Sequence, residues 1–218
     1  MNISNFITRF ISAIILAPLA LYVFYLGGMW FNAVVAIVAI IMAMEWKHII
    51  SSNGKPKNIW YLIGALVILA PTLSLIWIRI QEDGLKLIYL LFITVWMSDI
   101  GGYIFGKTLK GPKLAPKISP NKTWSGFFGG ILLALLGGLC FGLFYNLNLT
   151  NLAIITSLLS VYSQISDLLE SKIKRHFGVK DSGKIIPGHG GILDRIDGLI
   201  LTAPKMVLLL YLTNGNLF

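Results

Sequence analysis

Residues 123–166 read TWSGFFGGILLALLGGLCFGLFYNLNLTNLAIITSLLSVYSQIS, without one charged side chain. A bilayer-spanning helix needs about 20 mainly apolar residues, so this stretch holds two. They are placed at 124–146 and 149–170. Two further charge-free runs extend from Phe10 to Met44 and from Asn58 to Ile78. The first holds two spans, 10–27 and 29–46, separated by a Gly27–Gly28 turn, and the second holds one, 59–79. No small-residue cleavage site follows the first run, so it is read as a retained helix rather than a secretory signal. Two weaker segments, 85–105 and 193–213, contain ionisable residues and complete a set of seven. Of the 218 residues, 56% are hydrophobic and only 12% charged, which sets the chain apart from soluble domains at about 25% charged. Disorder, collagen-like repeats and a disulfide scaffold are excluded, since the single cysteine, Cys140, has no intrachain partner. The expected class is all-α: a polytopic membrane protein forming one domain over 1–218. Its N-terminal helices occupy 10–105 and its loop-rich half 106–218.

The basic residues set the expected orientation. With a cytoplasmic N-terminus, fifteen of them fall inside, including Arg9, Lys47, Lys55 and Lys57, and only Arg79 and Lys86 fall outside. The net charge of +9 then faces anionic headgroups and nucleotides. Two inside loops stand out. Lys107–Lys122 has five lysines, three prolines and no acid, and Lys172–Ile192 mixes basic residues with glycines and His189.

Five of the nine acids, Asp99, Asp167, Glu170, Asp194 and Asp197, lie within or at the edges of predicted spans. A carboxylate at the bilayer centre costs about 2.5–3.5 kcal/mol on insertion scales, and less near the interface. All five fall at the predicted cytoplasmic ends of spans four, six and seven, which suggests one site. Asp194 and Asp197 share a helix face, and Asp167 and Glu170 repeat the spacing. Converging carboxylates need a cation, and hard oxygen donors beside phosphates suit Mg²⁺. Zinc is disfavoured, because the three histidines show no ligand spacing.

Three further patterns carry less. Residues 101–108, GGYIFGKT, fit the P-loop pattern, yet an apolar segment precedes them and prolines follow where a helix should run. A P-loop is rejected. Gly126 with Gly130, and Gly138 with Gly142, have the spacing that lets helices approach closely. Asn121-Lys122-Thr123 matches a glycosylation acceptor on the wrong side of the membrane and is given no weight.

Residues 171–197, SKIKRHFGVKDSGKIIPGHGGILDRID, resemble closely the signature of the phosphatidate cytidylyltransferase (CDP-diacylglycerol synthase) family. The shared pieces are S-x-x-K-R, K-D, P-G-H-G-G and L-D-R-x-D. Ser98-Asp99 with Tyr103, Gly106 and Lys107 is similar to the family too, as is Ser119-Pro120-Asn121-Lys122-Thr123-Trp124. Ser125 departs from the pattern, standing where the family usually has Glu. The likeness covers about the C-terminal half.

The resemblance implies an integral membrane enzyme that joins CTP and phosphatidic acid into CDP-diacylglycerol and releases pyrophosphate. It implies Mg²⁺, with K⁺ alongside, held by Asp167 and Asp194. Asp197 and Asp99 are candidate additional ligands or groups that hold the ligands. The expected substrate-binding set is Lys117, Lys122, Ser171, Lys172, Lys174, Arg175, Lys180, Asp181, Lys184, His189 and Arg195. Ordinary positive-inside topology accounts for many of these lysines one by one. His189 is assigned to shaping its turn ahead of moving a proton, and Arg195 serves equally as an ion-pair partner of Asp194. No nucleic-acid partner is expected, a homodimer is allowed, and in a bacterium the membrane would be the inner one. Elementary chemistry agrees: a phosphate monoester is largely ionised at neutral pH, so the difficulty is bringing an anion to a polyanion. The rival readings are a cation- or proton-coupled transporter, which should hold its acids near the midplane, another lipid-phosphate transferase or kinase, and a scaffold.

Overall fold

The computed structural model describes residues 3–54, 58–183, 185–186, 190–215 and 217. In chain order its elements are α1 (Ile3–Leu26), α2 (Gly28–Ser51), α3 (Asn58–Arg79), α4 (Gly84–Thr108), β1 (Lys113–Ala115), β2 (Ser119–Thr123), α5 (Trp124–Tyr145), α6 (Leu149–His176), α7 (Leu193–Ile196) and α8 (Leu199–Leu212). Five of these helices, α2 to α6, are long and apolar enough to cross a membrane. Large apolar side chains such as Leu66, Leu73, Phe128 and Phe144 stand exposed along them, as lipid-facing surfaces require.

Five of the seven expected spans are met in this way among the described residues. Outside these five, α1 (Ile3–Leu26) covers the predicted span 10–27, and the predicted segment 193–213 is not one helix. It is interrupted at Asp197–Gly198, where the Asp197 carbonyl accepts the Ser166 hydroxyl and the Ile200 amide reaches back only three residues to it. The remaining α8 has 14 residues, about 21 Å at 1.5 Å per residue, against a hydrocarbon core of about 30 Å. The all-α expectation also meets one exception, the antiparallel β1–β2 hairpin, with Lys113 opposite Thr123 and Ala115 opposite Ser119. The Gly27–Gly28 turn is present, with φ of 61° and 50° at the two glycines, values that favour residues without a Cβ. Residues Gly101–Thr108 are helical throughout, so GGYIFGKT forms no phosphate loop.

In lipid, helices associate through close packing and hydrogen bonds rather than by escaping water. The α4–α5 contact shows this. A Cβ on Gly101 would lie 2.4 Å from the Gly129 carbonyl oxygen, and one on Gly126 would lie 2.7 Å from that of Gly102. The second glycine pair turns to another partner: Gly138 abuts Thr156, and Gly142 abuts Leu149 and Leu152 of α6. Polar links lock the three helices together. Ser98 and Ser160 share a 2.8 Å hydrogen bond, and Gln164 donates to the Phe127 carbonyl at 3.1 Å. Around this unit packs a core of Leu87, Leu91, Leu159, Ala203 and Met206, while Met42, Trp46, Ile49, Leu193 and Ile200 form a second cluster over α7.

Two adjacent glycines separate packing from propensity. Gly101→Ala forces a methyl against backbone, and overpacking of this kind costs about 1–3 kcal/mol, more than the helix propensity that alanine adds. At Gly102 a Cβ meets only the Gly126 carbonyl oxygen, at an ordinary 3.8 Å. Thermal unfolding in detergent should therefore show a lower midpoint for Gly101→Ala, and an equal or higher one for Gly102→Ala.

Candidate active site

The five acids of interest gather where α4, α6 and α7 approach one another, at the end of the bundle that carries the lysine-rich loops. Helix α6 outruns its apolar segment and ends at His176, with Lys174, Arg175 and His176 in its last turn, where the helix dipole favours cations. Glu170 and Lys174, four residues apart with the acid N-terminal, meet at 2.6 Å. The Lys174 ammonium also touches Asp194 Oδ1 at 2.5 Å. All three side chains are buried. The other oxygen of Asp194, Oδ2, accepts the amides of Ser182 and Gly191, both at 2.9 Å. Asp194 is thus held from three directions, and Lys174 is shared between the two buried acids.

The second group is more open. Asp167, three residues before Glu170, binds the Lys122 ammonium at 2.5 Å and accepts the Ser171 hydroxyl at 3.3 Å. The hairpin delivers Lys122: Thr123 ends β2 and caps α5 by accepting the Gly126 amide at 3.1 Å, which leaves the preceding side chain facing α6. Ser125, at the place of the family's usual Glu, donates to the Lys110 carbonyl and bonds Thr123 Oγ1 at 2.9 Å, tying the loop to the helix. Asp197 lies within electrostatic reach of Asp167, Asp99 and Glu170, and its carboxylate accepts the Gly198 amide at 2.8 Å. Asp99 feels Asp167, Lys122 and Arg195.

The expected substrate-binding residues divide. Lys122, Ser171 and Lys174 join the acids directly. Arg195 is exposed beside them. Lys172 lines an apolar groove of about 400 Å³ next to Trp46, Trp60 and Ile173. Arg175 donates to the Val179 carbonyl at 2.9 Å, closing the end of α6. Lys117, Lys180 and Asp181 are exposed, the first in the hairpin turn and the others after α6. Lys184 and His189 lie outside the described residues.

One participant escaped the sequence reading. Glu45, near the end of α2, is buried at 4% exposure and accepts three hydrogen bonds: from the Ser182 hydroxyl at 3.0 Å, the Ile192 amide at 2.9 Å and the Leu193 amide at 2.8 Å. Its partners lie up to 148 residues away. The available signal was an acid flanked by Met44 and Trp46 within a predicted span.

The donor chemistry suits a hard cation. Five carboxylates (Asp99, Asp167, Glu170, Asp194, Asp197) face three cations (Lys122, Lys174, Arg195) among the described residues. The excess of acidic over basic side chains leaves oxygen donors that could meet a hard cation. No three such side chains are close enough among the described residues to form a ready-made metal cage.

The comparisons with known proteins bear on the same residues. The family model described as the cytidylyltransferase family matches residues 57–213. A Rickettsia bellii protein named phosphatidate cytidylyltransferase is 42% identical over 97% of this chain and 92% of its own length. A Brucella suis protein of the same name is 36% identical over 94% and 93%. A third, from Staphylococcus epidermidis, reaches 50% identity over 61% of this chain and 52% of its own length. The first two likenesses run nearly end to end, and the family match takes in the hairpin, the acid-bearing helices and the loop between α6 and α7. On these grounds the chain belongs to the cytidylyltransferase family.

Proposed function

We propose that this multi-pass membrane protein transfers the cytidylyl group of CTP to phosphatidate, yielding CDP-diacylglycerol and pyrophosphate. A phosphatidate oxygen forms a bond to the α-phosphorus of CTP, and the bond from that phosphorus to the bridging oxygen of the β-phosphate breaks. The phosphate monoester is already ionised, so no strong base is needed and the residues must position and neutralise. The observation that carries this reading is the pairing of a surplus-acid cluster with a lysine-bearing hairpin at one end of the helices. A transporter would be expected to place its acids near mid-membrane.

Asp167 and Asp194 would hold Mg²⁺, with Asp99 and Asp197 beside them. Bound there, the metal would neutralise phosphate charge. Lys122 and Arg195 face the acids from the open side and meet the phosphates, while Lys117 and Lys180 extend the positive field outward. Lys174 is the internal counter-ion that keeps Glu170 and Asp194 together. The excess of basic residues on the loops at this end supports a cytoplasmic site and a cytoplasmic N-terminus. In a bacterium the membrane proposed is the inner one. K⁺ as a companion ion and a homodimer complete the proposal.

Purified protein in detergent micelles, given CTP, Mg²⁺ and phosphatidate, should release pyrophosphate in equal amount to CDP-diacylglycerol. No release would reject the reading, and no sealed compartment is needed, which separates it from transport. Asp167→Asn removes the charge but keeps the shape of a partly open side chain. Its kcat should fall about 100-fold or more, on the scale of lost electrostatic stabilisation, with the unfolding midpoint little changed. Chelation by EDTA should abolish turnover, and added Mg²⁺ should restore it.

A further inference from the structure

Glu45 lies outside the matched segment 57–213, yet it is among the most fully engaged side chains in the molecule. Its Oε1 accepts the Ile192 amide, and its Oε2 accepts the Leu193 amide and the Ser182 hydroxyl. Those partners belong to both edges of the loop 182–193. The edges close on Glu45 so tightly that side chains are excluded: a Cβ on Gly183 would lie 2.8 Å from Oε1, and one on Gly191 would lie 2.6 Å from the same atom. From these edges the Ser182 and Gly191 amides reach Asp194 Oδ2. Glu45 therefore sits one bond network behind Asp194, on a helix that contributes no other carboxylate to the site.

We infer that Glu45 is a positioning residue for the nucleotide side of the reaction, an inference that rests on the function proposed above. By clamping both edges of the loop it sets the Ser182 and Gly191 amides that orient Asp194, and through Asp194 the side of the site that meets the triphosphate. The lipid phosphate is expected near Lys122 on the hairpin, which Glu45 does not touch. Its loss should thus weaken CTP more than phosphatidate. A carboxylate is the fitting group, because its two oxygens accept and neither donates. Glutamine keeps the shape but turns its NH₂ toward the Ile192 or the Leu193 amide, leaving that amide unpaired. Aspartate keeps the charge but falls one methylene short.

The test uses full-length protein in detergent, with KM measured separately for CTP and phosphatidate and unfolding followed by heat. In Glu45→Gln the CTP KM should rise about tenfold, the effect of one unsatisfied buried partner. The phosphatidate KM should stay within about twofold. Glu45→Asp should recover part of the loss. Ser182→Ala, which keeps both amide contacts, should shift the CTP KM in the same direction by about two- to threefold. Proteolysis within 182–193 should be faster in Glu45→Gln than in the parent, and this readout needs no turnover. The inference is overturned by an unchanged CTP KM, by equal changes in both KM values, or by an unaltered cleavage rate. A purely structural role would lower the unfolding midpoint of every Glu45 variant without splitting the two constants, and that too would overturn it. Absence of turnover in the parent protein would instead reject the proposed function, leaving the cleavage comparison to judge the clamp.

Discussion

The Lys174 ammonium, 2.6 Å from Glu170 and 2.5 Å from Asp194, is the contact on which the loop-bearing end of the bundle depends. All three groups are buried, and removing one partner of a buried ion pair costs about 3–5 kcal/mol, because the remaining charge has no water to return to. The triad joins the last turns of α6 to α7 across the loop between them. It also explains why α6 runs 28 residues and past its apolar segment: Lys174 must stand one turn beyond Glu170 to reach both acids.

Around this contact the fold solves two problems in different ways. Charges that would destabilise one another within the bundle are tied pairwise, Asp167 to Lys122 and Asp194 to Lys174, while Asp197 sits among Asp99, Asp167 and Glu170 with an amide as its nearest support. Close registration of helices is left to glycine. The backbone contact between Gly101 and Gly129 sets α4 against α5, and the Ser98–Ser160 bond sets α4 against α6. The two carboxylates Asp99 and Asp167 are thereby brought into each other's field by packing around them, without any direct bond between them.

Much of this was legible along the chain, and particular residues show where legibility stopped. Hydropathy is local, so the predicted 124–146 became Trp124–Tyr145 and 59–79 became Asn58–Arg79. It misjudged ends: 149–170 continued to His176, since a helix need not stop where lipid does. The hairpin was read as a proline-stiffened loop, because strands of three and five residues are too short to show a period. The break at Asp197–Gly198 was invisible, for its cause is the Ser166 hydroxyl, 31 residues away.

What the amino-acid order determined by itself is the membrane class, most of the helix positions, the clustering of acids near basic loops and the family-like motifs. Each of these follows from the transfer cost of a side chain or from the spacing of near neighbours, and neither requires the folded chain. The tertiary structure alone decided which lysine meets which acid, that Lys174 faces inward, and that Glu45 closes on a loop nearly 150 residues away. Those outcomes depend on distances set by helix packing. A buried charge takes its partner from whatever donor packing brings within about 3 Å, however far apart the two stand in the chain.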